Sequence, residues 1–216
     1  MCAKQKPYGA VTHDDWRLLH MSLDEAIKAH SINGGSFVEI GTLSAKTTKA
    51  VAEVLHDNRV LSTLITIDKS PAARSAFDGQ FKDWWGTVSV QFVQGLSKDV
   101  LGDWDDLKVV WAFVDGCHCE ECVAADIANL IPKMVPGGVI VFHDAGIQAA
   151  LGMTVHKKYH GDGKKRLYGV TTAIGKSEGL KDFELLYSCQ AKLRPPNEPT
   201  PIFGGVQVWR KPWAVN

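Results

Sequence analysis

Apolar positions along the chain follow two alternating rhythms. Short, almost unbroken apolar runs at Phe37–Ile40, Leu61–Ile67, Val88–Val93, Val109–Val114 and Val139–Phe142 read as strands buried on both faces. Between them, apolar residues recur at helical spacing over Ala45–His56, Ala72–Phe81, a short piece near Lys98–Leu101, and Glu120–Leu130. A further helix is predicted over residues 12–30, where Trp16, Leu18, Leu19, Leu23, Ala26 and Ile27 share a stripe. Thr12 or His13, followed by two aspartates, starts it, and Asn33-Gly34-Gly35 stops it. Thr42 or Ser44 is the expected cap of the next helix, Ser70-Pro71 opens the third, and Pro132 with Pro136-Gly137-Gly138 closes the last.

Strand-then-helix units repeated in this way predict a parallel sheet covered on both faces, with right-handed crossovers. Beyond Asp144 the pattern changes. Residues 148–166 are polar, with Gly161-Asp162-Gly163 marking a loop, and Tyr168–Ile174, Phe183–Tyr187 and Gly205–Trp209 read as extended pieces. The last two flank a proline-rich connection (Arg194–Pro201) and are expected to pair antiparallel at the sheet edge. The fold class is therefore α/β: a doubly wound, mostly parallel, seven-stranded Rossmann-like sheet of order 3-2-1-4-5 with an antiparallel C-terminal hairpin.

At 216 residues, 45% hydrophobic and 22% charged, the chain has the composition of one ordinary globular domain. Twenty-four acidic and twenty-four basic residues cancel, which leaves no net field to draw a nucleic acid or an anionic membrane. No run approaches the ~20 apolar residues of a membrane span, and the N-terminus lacks the apolar centre of a signal peptide. Five cysteines, an odd number with three in CHCEEC, do not resemble a secreted disulfide framework. The expected setting is cytoplasmic.

Parallel strands bring their carboxyl ends to one edge, where ligands bind in open α/β sheets. That edge receives VEIGTLSAKTT after the first strand, FVDGCH after the fourth and GGVIVFHD after the fifth. These three motifs, in this order, resemble class I S-adenosylmethionine-dependent methyltransferases, and within them the small-molecule O-methyltransferases of the catechol O-methyltransferase-like and antibiotic-pathway kinds. The resemblance runs from about Phe37 to Trp209. Two positions depart from it: Ala45 stands where a glycine is common, an alanine that is accommodated if it already belongs to the helix, and Ala145 stands where the catechol enzymes have an asparagine. The resemblance implies a helical cap over 1–35, a cofactor-binding core over 36–144, and a substrate loop with C-terminal strands over 145–216.

The residues suit that cofactor chemically. Gly41 and Thr42 form the turn, glycine allowing close backbone approach. Glu39 is expected beneath the methionine part, accepting from its ammonium directly or through water, and Thr47 in the first helical turn donates to its carboxylate. Asp68 would accept from the two ribose hydroxyls, with Lys69 flanking the adenine and Asp115 bordering the cofactor from the fourth strand. The resemblance also puts Ser97 at the adenine edge. As plain alternatives, Asp68 and Ser97 are simple helix caps, and Glu39 a salt-bridged acid.

For the chemistry itself, Asp115 and Asp144 end neighbouring strands, and together with His143 they are the expected ligands if Mg²⁺ binds, two carboxylates with waters being enough for that ion. A cation there would lower the pKa of the acceptor oxygen. His118 occupies the place of the general base in the resembling metal-dependent enzymes, with Asp115 as its catalytic companion. The acceptor is expected to be a small molecule, selected by the N-terminal helix, the Trp84-Trp85 segment and the loop bearing His156, Tyr159 and His160; a homo-oligomer is compatible with all of this.

CHCEEC also admits a zinc reading, opposed by the difficulty of turning residues 117, 118 and 119 inward together and by the missing second pair. Redox-active Cys119 and Cys122 at a helix start are another reading, and inert buried cysteine the plainest. Three rival functions remain open. A nicotinamide oxidoreductase would need the G-x-G-x-x-G turn that EIGTLSAKT lacks, a nucleoside-binding module would keep the fold without chemistry, and a hydroxylase-like relative would need iron at Asp115 and Asp144.

Overall fold

A computed structural model describes residues 11–30, 34–146, 154–155, 166–189 and 205–214. Helix α1 (His13–His30) is followed by β1 (Ser36–Ile40), α2 (Lys46–Asp57), β2 (Thr63–Asp68), α3 (Pro71–Phe81), β3 (Ser89–Gln94), α4 (Ser97–Gly102), β4 (Val109–Val114), α5 (Glu120–Leu130) and β5 (Met134–His143). A two-residue ribbon, β6 (Thr154–Val155) with β7 (Arg166–Leu167), precedes α6 (Val170–Lys176), β8 (Glu184–Cys189) and β9 (Val206–Arg210).

Seven strands form one sheet of order β3-β2-β1-β4-β5-β9-β8. The first five are mutually parallel, and β9 runs antiparallel between β5 and β8. This is the expected doubly wound topology with its C-terminal antiparallel pair. Alternation along each strand sends residues to opposite faces. Phe37, Leu64, Trp111, Phe113, Val139, Val141 and Val208 pack with Leu19, Leu23, Ala26, Val51 and Leu55 of α1 and α2. On the other face Val38, Ile40, Ile67, Ala112, Ile140 and Phe142 pack with Val123, Ile127 and Leu130 of α5 and Ala173 and Ile174 of α6.

Local departures from the sequence reading have identifiable causes. Tyr168–Ile174 is not a strand: after Tyr168 the chain turns into α6. Val170, Ala173 and Ile174 are buried at helical spacing, and their packing on the α5 face outweighs the strand preference of a β-branched segment. Neither Thr42 nor Ser44 caps α2. The residue before that helix is Ala45, in the left-handed region at φ 55°, with no side-chain cap. Ala45 thus lies outside the helix, in the conformation that favours the glycine common at this position. Strand β5 begins at Met134, earlier than expected, because the Pro136-Gly137-Gly138 segment continues the strand, with Gly137 at φ 77°.

Trp84 and Trp85 also fall elsewhere than expected. They lie on the connection that enters β3, against His56 at the end of α2. Connections entering parallel strands run at the amino edge of the sheet, opposite the strand ends that carry the acids. The residues His156, Tyr159 and His160 lie outside the described part of the chain.

Candidate active site

The carboxyl ends of β1, β2, β4 and β5 meet at one edge, and the turn after β1 is built into that edge by its neighbours. Gly41, at φ 97°, donates its N–H to the Ile67 carbonyl. A Cβ on Gly41 would lie 2.2 Å from the Asp115 carbonyl oxygen. The glycine is therefore required by the close approach of the β4 loop as well as by its own backbone. Asp68, at the end of β2, holds the same turn from the other side: its Oδ2 accepts from the N–H groups of Thr42 and Leu43, each at 3.0 Å, and its Oδ1 accepts from Ser70 N–H at 2.8 Å. The cap-like bond to Ser70 and the grip on the turn coexist in one carboxylate. Lys69 beside it is exposed.

Glu39 sits beneath the turn, 1% exposed. Thr48 donates to its Oε2 at 2.5 Å and Thr66 at 2.7 Å, while Oε1 is buried without a partner. Thr66 also meets the Thr42 hydroxyl at 2.5 Å. Burial pushes the Glu39 carboxyl up to about 8; the two threonines pull it back, and the negative charges of Asp115 and Asp68 push it further up. Thr48 and Thr66 escaped the sequence reading, which singled out the neighbouring Thr47; Thr47 lies half-buried in the first turn of α2. Ser97 opens α4 and donates to Asp126 of α5 at 2.6 Å. Burial, against that bond, raises the Asp126 carboxyl to about 7.

The second group of residues stands at the ends of β4 and β5. His118 Nε2 lies 3.3 Å from both Asp115 Oδ1 and Asp144 Oδ2. The three side chains place one ligand atom each within 4.8 Å of one another, two oxygens and a nitrogen in a spacing that suits a divalent cation. His118 replaces the anticipated His143 in this group. Tyr168 completes it: its hydroxyl donates to Asp144 Oδ2 at 2.7 Å and meets His118 Nδ1 at 2.5 Å, and its ring stacks on the imidazole. Asp144 occupies the left-handed region at φ 55°, and its Oδ1 is buried without a hydrogen-bond partner. Strained non-glycine backbone of this kind concentrates at functional sites.

His143 is turned to a different task. Its Nδ1 lies 2.9 Å from Asp115 Oδ1 and its Nε2 3.6 Å from Asp15 Oδ2, in a site where it is 1% exposed. Burial alone would lower its pKa, but the charge and hydrogen bond of Asp115, then Asp15 and Asp144, hold it well above the ordinary range. Its two ring nitrogens thus face Asp115 and Asp15, and the side chains that converge within ligand distance of one another are Asp115, His118 and Asp144. Asp115 and Asp15 respond in kind. Burial works to raise both carboxyls, and it is more than offset by His143 for each, with His118 helping at Asp115 and Thr12 at Asp15.

Asp15 escaped the sequence reading except as a helix starter. It does that work, exchanging bonds with Thr12 in a capping box. Its Oδ1 also accepts from Gly205 N–H at 3.0 Å, so one buried carboxylate joins α1 to β5 and to the strand beginning at Val206.

Cys117, Cys119 and Cys122 bring their sulfurs together on this same loop, all within 4.8 Å of one another. The neighbouring thiols dominate the pKa of both half-buried cysteines: Cys119, with burial, raises the Cys117 thiol to about 11 against a lowering hydrogen bond from Cys122, and Cys117 and Cys119 push Cys122 up.

Comparison with known proteins adds to this geometry. The family model described as "Methyltransferase domain" matches residues 38–145. No curated protein matches the sequence. Among solved structures, an O-methyltransferase from Bacillus cereus in complex with S-adenosylhomocysteine superposes with a TM-score of 0.65 at 14% identity, covering 95% of this chain and 84% of its own. The O-methyltransferase TomG from Streptomyces achromogenes, involved in tomaymycin synthesis and solved with S-adenosylmethionine, gives 0.59 at 16% identity, covering 89% and 79%. An rRNA methylase from Streptococcus thermophilus gives 0.57 at 12% identity, covering 90% and 96%. At these identities the superpositions establish the shared fold. Among the described residues no helix is long and apolar enough to cross a membrane.

Proposed function

This chain belongs to the methyltransferase-domain family, and from that premise we propose that it transfers a methyl group from S-adenosylmethionine to an oxygen of a small molecule. The observation that carries this reading is the extent of the family match, because residues 38–145 contain every strand end at which the acids stand. Solved relatives of the same fold include O-methyltransferases bound to S-adenosylmethionine or its product.

Several features fit that cofactor. The turn from Gly41 to Ala45 is pinned by Asp68, and the buried Oε1 of Glu39 lacks a partner that an ammonium or an intervening water would supply. Glu39, Gly41, Thr42, Thr47, Asp68, Lys69, Ser97 and Asp115 would hold the molecule, which supplies an electrophilic methyl group on a sulfonium when bound. Residues 36–144 then form the cofactor half, and 1–35 with 145–216 the acceptor half.

His118 takes the proton of the acceptor hydroxyl as the oxygen gains its new bond. Tyr168, its hydroxyl held by Asp144, orients the imidazole through Nδ1, and Asp115 stabilises the charge that the ring acquires. The protein otherwise works by holding the two reactants in line, a contribution that is large for such transfers. A second reading is favoured by the convergence of Asp115, His118 and Asp144. They would hold a divalent cation, which supplies Lewis acidity that lowers the acceptor pKa.

Calorimetric titration with S-adenosylmethionine, with NAD as the control, tests the proposal, with and without Mg²⁺. Binding that Asp68→Ala weakens by about 1.5–3 kcal/mol, the scale of hydrogen bonds to a charged group, is expected. A folded protein that gives no heat with S-adenosylmethionine overturns the reading. Binding or turnover that requires Mg²⁺ and is lost in Asp144→Asn selects the metal-assisted form.

A further inference from the structure

The CHCEEC segment carries chemistry that methyl transfer does not use. Its backbone is extended where it passes His118 and Cys119: Cys119 has φ −82° and ψ 153°, it bridges Tyr168 in antiparallel fashion, and Gly169 donates to the His118 carbonyl at 2.9 Å. Extended backbone sends successive side chains to opposite sides. His118 accordingly points to Asp115 and Asp144, while Cys117 and Cys119 turn together the other way, with 3.6 Å between their sulfurs. Cys122, in the first turn of α5, brings the third sulfur within 4.8 Å of both. The steric objection to a metal at adjacent residues 117, 118 and 119 thus disappears, because His118 is not asked to join.

We propose that Cys117, Cys119 and Cys122 form a binding site for one thiophilic d¹⁰ cation of the zinc type, separate from the carboxylate–histidine group on the other side of the loop. A zinc–sulfur bond of about 2.3 Å puts tetrahedral sulfur ligands about 3.8 Å apart, close to the separation of Cys117 and Cys119. Three soft sulfurs select such an ion over magnesium or calcium. The positive end of α5 favours thiolates at its start. Cys119 is buried and the other two are half-buried, so an ion has a route in, and among the described residues the three sulfurs form the group without a fourth ligand atom. Glu121 stands at the rim, its Oε2 3.9 Å from Cys119 Sγ and paired with Arg166. An ion held on both sides of His118 would fix the backbone that presents the imidazole.

The test uses the full chain, reduced and stripped of metal, titrated with Co²⁺ and then Zn²⁺. One equivalent of Co²⁺ is expected to give thiolate-to-cobalt charge-transfer absorption, which one equivalent of Zn²⁺ then abolishes. Cys122→Ser and Cys117→Ser should each weaken cobalt binding at least about 100-fold, on the scale of losing one strong ligand, and Asp144→Asn should leave it unchanged. In the wild-type chain, zinc should slow alkylation of Cys117, Cys119 and Cys122 while Cys189 reacts as before, a readout that needs no variant. Absence of the charge-transfer band overturns the proposal. So does cobalt affinity unaltered in a folded Cys122→Ser chain, or lost in Asp144→Asn.

Discussion

Asp15 on the first helix and His143 at the end of β5 form a buried ion pair, 3.6 Å between Oδ2 and Nε2, with both residues 1% exposed. Through its other nitrogen His143 reaches Asp115 at 2.9 Å. One imidazolium therefore neutralises two carboxylates and ties the candidate active site to helix α1. Removing the shared cation leaves the buried Asp15 carboxylate and the part-buried Asp115 carboxylate without it. His143→Leu is expected to cost about 3–5 kcal/mol, the range for breaking a buried ion pair from one side, read as a lowered urea midpoint. A loss below 1 kcal/mol would mean that the imidazole is neutral.

The same charges predict how stability depends on pH. Glu39 titrates near 4.5 unfolded and near 8 folded, so the folded state holds a proton that the unfolded chain gives up. Stability is then undiminished below about pH 4.5 and falls as pH rises toward 8, by up to about 1.4 kcal/mol per pH unit. Asp126 acts in the same sense up to about 7, and raised His143 loses its contribution as pH climbs above 6.5. The depressed Asp15 and Asp115 work oppositely, losing stability in acid as pH falls below 3.8, and His30, lowered by burial, opposes the trend as pH falls below 6.5. Thermal unfolding should thus occur at higher temperature at pH 5 than at pH 8, and Glu39→Gln should flatten the slope between them.

Gly41→Ala tests the packing of the turn. The left-handed backbone alone costs about 1–3 kcal/mol, and overlap of the new Cβ with the Asp115 carbonyl adds to it because that carbonyl is main chain. Equilibrium unfolding should show a loss of at least that size, accompanied by loss of cofactor binding. Gly34, which has open space around it despite φ 67°, should tolerate alanine better.

Tyr168→Phe keeps the ring against His118 and removes the hydroxyl shared by His118 and Asp144. With an acceptor identified by transfer of labelled methyl groups, turnover should fall about tenfold, the worth of a hydrogen bond near 1–1.5 kcal/mol. His118→Ala should fall further, by about 10²–10⁴, with S-adenosylmethionine affinity nearly unchanged. Equal affinity losses in both variants would make the histidine a binding residue.

The parallel core was legible because β1, β2, β4 and β5, buried on both faces, leave unbroken apolar runs, whereas β3 lies at the sheet edge and alternates exposed with half-buried residues; the acids at the strand ends are placed by topology alone. Residues that act across long sequence distances left no comparable trace. Asp15 reads locally as a cap, and nothing near it announces His143. Tyr168 sits in a β-branched segment that mimics a strand, and the turn at Gly169 that aims its hydroxyl depends on packing against α5. Thr48 and Thr66 look like any threonines in a helix and a strand until Glu39 is seen between them. The two faces of Cys117-His118-Cys119 follow from an extended backbone that only the bridge to Tyr168 fixes.

The central position of β1 has a consequence for synthesis. This strand leaves the ribosome shortly before β2, which can cover one of its edges early. Its other edge is claimed by β4, which begins only at Val109. At about 5–20 residues per second, that edge waits on the order of several seconds. Helix α1 waits longer still, since His143 and Gly205 must emerge before Asp15 meets its partners. A nascent chain stalled before Gly205 would hold all five parallel strands and the Asp15–His143 pair, yet lack the Gly205 N–H and the β9 edge that complete the anchorage of α1.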